Sequence, residues 1–306
     1  MTRYNGSSFL LGSLPGMNKF SSPKVLECLV CKSQEIEILP RQRILQDYST
    51  CLNRCGACFF EWFENSDAWL GKAYANAIAD TDTGIVMRNL SMHRALASFF
   101  YFSSNRGRIL DWGSGSGLLI RLLRDHGFDC VGFEPYADPL LASGFTCRSK
   151  RELVRFAPFR AIVAIEVAEH LQDPSAYFEE ILGLADTVIF STEPVEKNTQ
   201  GDDWWYYSRE TGQHISFYSR TSLALLAQRF GATYVRSGND GLHMMTRIRR
   251  DALFFRLIAG NLFFYVGYAF LRALAGFAGK RSSLTSRDHL AAREALSLGL
   301  QKSDNA

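Results

Sequence analysis

The chain has 306 residues, 47% of them hydrophobic, and a net charge of +3 at pH 7. That length supports one large domain plus an accessory module, and the small net charge gives no reason to invoke nucleic acid. The 23 Phe, 12 Tyr and 5 Trp suit a well-filled core and a stacking pocket.

Residues 1–27 read as a mobile tail. Their only apolar scrap, Phe9–Leu11, falls short of the continuous run of a signal peptide, so the chain is expected to be cytoplasmic. Cysteine usage agrees with that compartment. Of seven cysteines, Cys28, Cys31, Cys51, Cys55 and Cys58 cluster, whereas a secreted disulfide framework would spread its pairs across the fold. The cluster contains "CLVC" at 28–31 and "CGAC" at 55–58. Each CxxC turn supplies two thiolates from one knuckle, and a small hairpin over the alternating stretch 33–50 would bring the knuckles together. The spacing predicts a zinc-ribbon-like module over 28–62, with Cys28, Cys31, Cys55 and Cys58 holding a structural Zn2+. Four thiolates leave no open coordination position, so the module is a scaffold or lid. Cys51 stays outside the shell because CxxxC is poorer knuckle geometry, and four free thiols in a small core are the alternative. A helical connector is expected over 63–104.

Next comes "RILD" at 108–111, a short strand candidate that runs into "WGSGSG". After it, 118–127 has helical periodicity and ends on Gly127, and "CVGFEP" at 130–135 is again strand-like, with Glu134 at its end. Strand, glycine turn, helix, strand and acid make a nucleoside-binding βαβ unit. Gly113, Gly115 and Gly117 let the backbone turn sharply and admit a ligand against bare main chain. Glu134 lies about twenty residues past the turn, where a carboxylate can accept both ribose hydroxyls. The loop is GxGxG, whereas dinucleotide folds use GxGxxG with a helix N-terminus facing a pyrophosphate. Asp111, two residues before the first glycine, would be awkward beside a pyrophosphate and suits a cationic sulfonium.

That pattern, with "GFEP" following, resembles the class I S-adenosylmethionine (SAM)-dependent methyltransferases. The resemblance implies an α/β fold: a Rossmann-like seven-stranded sheet, mostly parallel with its last strand antiparallel, over residues 105–248. It places Asp111 near the methionine end of SAM and Glu134 on the ribose. "FRAIVAIEVAEHLQDP" at 159–174 is similar to the family's fourth strand and following helix, with Arg160 where an aspartate is usual. "ADTVIFSTEP" at 185–194 resembles the fifth strand, 219–231 reads as a capped amphipathic helix, and 233–248 as two alternating runs around Asn-Asp-Gly. Together with the cysteine module and residues 69–86, the chain is similar to zinc-ribbon-bearing bacterial methyltransferases of sugar and surface-polysaccharide clusters.

Two groups of residues are candidates for the chemistry. Glu166, Glu169 and His170, at spacings of three and four, are expected on one face of a helix start beside the cofactor. Glu166 is the candidate cofactor contact and His170 a candidate general base, while Glu169 and His170 also read as ordinary first-turn polar residues. The E-x-x-E-H pattern is similar to that of ubiquinone-pathway O-methyltransferases, which implies a divalent cation at Glu166, Glu169 and His170 as an option. The second group lies in "DDWWYYSRETGQHISFYS" at 202–219. Trp204, Trp205, Tyr206 and Tyr207 offer faces that stack on sugar rings or aromatic acceptors. Gln213 is a candidate substrate contact, and His214 a candidate substrate contact or general base, against the plainer reading of a satisfied structural histidine.

Residues 249–306 are expected to hold an apolar helical segment and a tail. The run 253–277 is long enough to cross a bilayer, but Arg256 and Arg272 interrupt it and both flanks are basic. An in-plane helix or re-entrant hairpin on the inner face of the membrane, and a helix pair packed on the domain or on a dimer partner, both fit. The leading expectation is O-methylation of a saccharide or other polar, small-molecule or glycan acceptor, lipid-linked if the segment meets a membrane. An NAD-type oxidoreductase and a non-catalytic SAM- or metal-binding protein are the other readings.

Overall fold

A computed structural model describes residues 26–75, 81–103, 107–195, 204–237, 241–258 and 282–303. The expected N-terminal tail lies almost wholly outside the described residues, as does the apolar run from 259 onward. Among the described residues, no helix is long and apolar enough to cross a membrane.

The first elements are three antiparallel strands, β1 (Ile36–Ile44), β2 (Tyr48–Cys55) and β3 (Glu61–Phe63). β1 and β2 form the hairpin expected between the knuckles, and Leu45 and Gln46 take left-handed backbone at its turn. A short helix α1 (Asp67–Ala73) and a longer one, α2 (Ile85–Phe102), then lead into the central sheet.

That sheet comprises β4 (Arg108–Trp112), β5 (Cys130–Phe133), β6 (Thr146–Cys147), β7 (Phe159–Ala164), β8 (Thr187–Phe190), β10 (Thr233–Arg236) and β11 (His243–Thr246). Its spatial order is β10-β11-β8-β7-β4-β5-β6. β4 to β8 pair in parallel, and β11 runs antiparallel to both of its neighbours. A dinucleotide fold continues its order outward with parallel strands. The inserted, reversed β11 distinguishes this sheet from it, and the fold is the mostly parallel methyltransferase α/β fold. β5, β7 and β8 are buried along their whole length, as strands covered on both faces must be.

One face carries α2, α3 (Leu118–Asp125) and α7 (Arg249–Ile258), whose Leu96, Leu123 and Phe255 pack against Ile109, Val163 and Ile189. The other carries α5 (Pro174–Leu184), α6 (Arg220–Arg229) and the cysteine module, through Phe178, Leu223, Leu226, Phe60 and Trp62. Ser219 caps α6 through a reciprocal pair with Ser222. A short helix α4 (Lys150–Leu153) follows β6, and α8 (Thr285–Ser303) closes the described chain. Arg160, where the family pattern has an acid, is buried and ion-paired at 2.9 Å to Asp251 of α7, so the partner of opposite sign comes from another element.

The cysteine module does not stand apart from the sheet domain. Its outer strand β3 pairs with β9 (Ser216–Phe217), making a four-stranded sheet whose last strand comes from the segment between β8 and α6. Ser219 Oγ donates to the Cys58 carbonyl and Ser175 Oγ to that of Leu29. A third core of Phe63, Trp69, Tyr207 and Phe217 fills the space between module and site.

Candidate functional site

At the carboxyl end of β4 the three glycines take φ of +74°, +52° and +81°, a region that side-chain-bearing residues rarely adopt. A Cβ on Gly113 would lie 2.7 Å from Val167 Cγ2, and one on Gly117 would lie 2.6 Å from Ala142 Cβ. Gly115 differs: nothing lies within 4 Å of the position its Cβ would take, so its bare face looks into open space. That space is a cavity of about 1200 Å3, which runs from the glycine loop past Glu166 and His170 to Trp205, Tyr206 and His214.

Glu134 closes over the loop. One carboxylate oxygen accepts the Gly115 amide at 2.8 Å, and the other accepts the amides of Tyr136 and Ala137 at 2.8 Å. The acid is therefore held at the cavity edge by one amide of the glycine turn and two of the loop that follows it. Asp111 lies at the base of the cavity, 2% exposed. Burial, with the Glu134 carboxylate as the second cause, pushes its carboxyl up to about 7. A buried acid so poised gains most from a cation placed beside it. The donor set fits SAM: an open glycine face, a carboxylate at the cavity edge, and Ser114 Oγ buried without a partner among the described residues.

The motif after β7 differs from its expected helical spacing. Ala168–His170 is a single 3-10 turn, and α5 starts afresh at Pro174, with the Asp173 side chain accepting the Ala176 amide as its N-cap. Proline's fixed φ and missing N–H make it a natural first helical residue, so the helix begins there and not at Glu166. Glu166 has left-handed backbone, φ 55°, held by Ser191, whose hydroxyl accepts the Glu166 amide at 2.7 Å and donates to its carboxylate at 2.6 Å. Arg88 of α2, marked by no motif in the chain, lies 3.8 Å from that carboxylate and 2.6 Å from Asp82.

The turn instead aims Glu169 and His170 at a third residue, His214. A Glu169 carboxylate oxygen and one ring nitrogen of each histidine lie within 4.8 Å of one another. The His170 Nδ1–H donates to the Gln213 carbonyl at 2.9 Å and the His214 Nδ1–H to the Tyr206 carbonyl at 2.7 Å. A carbonyl can only accept, so Nδ1 carries the hydrogen and Nε2 of each neutral ring holds a lone pair. Burial lowers both imidazoles, His214 to about 3 with His170 as the next cause. Burial, then neighbouring Glu166, raises the Glu169 carboxyl well above its ordinary value, and the Tyr206 hydroxyl opposes this to a smaller degree.

The aromatic run divides. Trp205, 73% exposed, and Tyr206 line the cavity, and the Tyr206 ring stands edge-on to His214 at 4.7 Å. Trp204 and Tyr207 pack into the third core with Phe217, and the Tyr207 hydroxyl donates to buried Glu61 of β3 at 2.8 Å. Gln213 also lines the cavity and donates from Nε2 to the Ala73 carbonyl, which ties α1 to the site.

In the cysteine module, Cys28, Cys31, Cys55 and Cys58 place all four Sγ within 4.8 Å of one another. The pairs Cys28–Cys58 and Cys31–Cys55 are 3.5 and 3.4 Å apart, near the edge of about 3.8 Å that a tetrahedron with 2.3 Å Zn–S bonds requires. The knuckles share one geometry: Lys32 and Phe59, each following a second cysteine, have φ of 65° and 58°, and amides of Val30, Cys31 and Cys58 point at sulfur. The donor set fits Zn2+, and Cys51 is not part of it.

Residues 87–237 match the protein family described as Methyltransferase domain. No curated protein matches the chain. Among solved structures, it is similar to the magnesium protoporphyrin IX methyltransferase of Synechocystis PCC 6803 with bound SAM, at 12% identity over 60% of this chain and 92% of that chain, TM-score 0.41. It is also similar to the plantazolicin methyltransferase with bound S-adenosylhomocysteine, at 11% identity over 60% and 94%, TM-score 0.42. For mitomycin 7-O-methyltransferase the values are 13% identity over 58% and 59%, TM-score 0.41. Similarity at this level says nothing about substrate. The family match identifies residues 87–237 as a methyltransferase domain, and the strand order of the sheet agrees with it.

Proposed function

We propose that this protein transfers the methyl group of SAM to a hydroxyl oxygen of a polar small molecule, a saccharide being the acceptor class that its cavity suits best. The observation that carries this reading is the sharing of one cavity by two unlike ends. The glycine loop, Asp111 and Glu134 lie at one end, and Glu166, His170, His214, Trp205 and Tyr206 line the other.

Methyl transfer is an in-line displacement on a sulfonium that is already activated, so the domain's main task is to hold nucleophile, methyl and sulfur in line. Asp111 and Glu134 fix the donor. Trp205 and Tyr206 supply flat faces for the acceptor ring. The acceptor hydroxyl would sit against His170 and His214, where it is activated for loss of its proton as the new O–C bond forms. The four cysteines would hold Zn2+ as a structural ion, and β3 would carry that rigidity to β9 and the His214 segment.

The test is calorimetry with SAM, followed by transfer of a labelled methyl to pooled mono- and oligosaccharides. Wild-type protein is expected to bind SAM, and Glu134→Ala to bind it at least tenfold more weakly, since three amide hydrogen bonds and the ribose contact go together. Equal affinity in the variant, or no SAM uptake by the wild type, would overturn the cofactor assignment. Label reaching only apolar or nitrogen acceptors would overturn the acceptor class.

A further inference from the structure

We infer that Glu169, His170 and His214 form a binding site for a divalent transition cation, Mn2+ being representative, at the acceptor end of the cavity. The trio combines a carboxylate and two imidazoles, with the three candidate ligand atoms within 4.8 Å of one another. Two histidines and one carboxylate on a common face are a recognised donor set for such ions, and one that leaves coordination positions open.

Three independent features separate this trio from a chance cluster. First, both histidines are oriented by backbone, each with its Nδ1–H on a carbonyl, at 2.9 Å to Gln213 and 2.7 Å to Tyr206. That arrangement is how metal-ligating histidines are held, with Nε2 left to bind. Second, Glu169 is 0% exposed, and neither of its carboxylate oxygens meets a hydrogen-bond partner at bonding geometry among the described residues. Such a carboxyl is costly to ionise where it stands, and a cation beside it would offset that cost. Third, the trio is assembled by tertiary contact: His214 arrives from the segment after β8, and the Ile215 amide donates to the Glu169 carbonyl at 2.8 Å, locking the two segments in register.

The ligand set is not the sequence-local one. Glu166, the first acid of the motif, is taken by Ser191 and faces Arg88, so His214 takes its place. His170 and His214 line the cavity, so the open coordination positions would face the acceptor. An acceptor with two adjacent oxygens, such as a vicinal diol, is the chemistry that would fill them. This deepens the proposed reading of the cavity as an acceptor chamber and rests on it for the acceptor's part alone.

The test uses the full chain with its cysteine site zinc-loaded, and Mn2+ as probe, because a hard ion leaves a four-thiolate site undisturbed. Loss of the aqueous Mn2+ signal in electron paramagnetic resonance is expected to titrate to one ion per chain. Pulsed spectra should show imidazole nitrogen couplings, and Glu169→Gln and His214→Ala should each weaken binding at least tenfold. Mn2+ that stays free at millimolar concentration, that binds without nitrogen coupling, or that binds His214→Ala as it binds wild type would overturn the site. SAM affinity measured on the same samples reports folding of the variants. It also separates the two ideas, since a wild type that binds Mn2+ but never SAM sinks the function and leaves the site standing.

Discussion

Replacing Asp111 by asparagine tests the cofactor end most directly. The side chain is 2% exposed, and its carboxyl is pushed up to about 7 from 3.8. Folded protein therefore keeps that proton to about pH 7, whereas the unfolded chain releases it near 3.8. Between those values the folded state binds more protons, so ligand-free stability falls as pH rises through the window, and the loss is complete above it. Roughly three pH units at 1.36 kcal/mol each put the penalty on the order of 4 kcal/mol at pH 8, an upper bound. Asp111→Asn removes it. Urea denaturation of the ligand-free variant should show higher stability than wild type at pH 8 and no gain near pH 4. Cofactor binding should move the other way. Wild-type affinity for SAM should rise up to tenfold per unit from pH 5.5 to about 7, because the sulfonium draws the proton off Asp111. In the variant, affinity should be weaker at pH 8 and flat across that range, where the SAM amino group stays charged. A variant no more stable at pH 8, or one that keeps wild-type affinity and pH dependence, would refute the view of Asp111 as a buried acid reserved for a cation.

Cys55→Ser should lower bound zinc, measured by elemental analysis after chelator-free preparation, together with the melting temperature. It should also weaken turnover through β3 and β9 before it affects SAM affinity. A protein that carries no metal when gently prepared would remove the zinc assignment. Asp288→Ala should destabilise by about 1–3 kcal/mol in denaturant titration, because buried Arg124 loses its closest carboxylate at 2.7 Å and keeps only Asp129 at 3.3 Å and the Cys130 carbonyl, while Arg121 loses a partner at 2.7 Å. A change below about 1 kcal/mol would mean that α8 is not anchored through this pair.

The cofactor half of the site was legible in the chain itself because its signals are local. A glycine triplet after an apolar run, an acid two residues before it and another at the next strand's end fall within residues 108–135, and backbone sterics leave little freedom in how they arrange. The paired CxxC units are local for the same reason, and the strands followed from continuous apolar runs. The acceptor half was only partly legible. Glu166, Glu169 and His170 have helical spacing, but Pro174 starts the helix later, and the turn that remains separates Glu166 from its neighbours. Nor could periodicity divide the aromatic run, since Tyr207 is drawn inward by Glu61 and Trp204 by the packing of Phe217. The meeting of His214 with Glu169 and His170, and of β3 with β9, depends on pairings across long stretches of chain. Sequence alone determined the glycine turn with its two flanking acids and the pairing of the CxxC units, because both are set by short-range backbone geometry. Only the tertiary structure decided which side chains line the far end of the cavity, because contacts between distant segments, unlike backbone conformation, are not written in any short stretch of the chain.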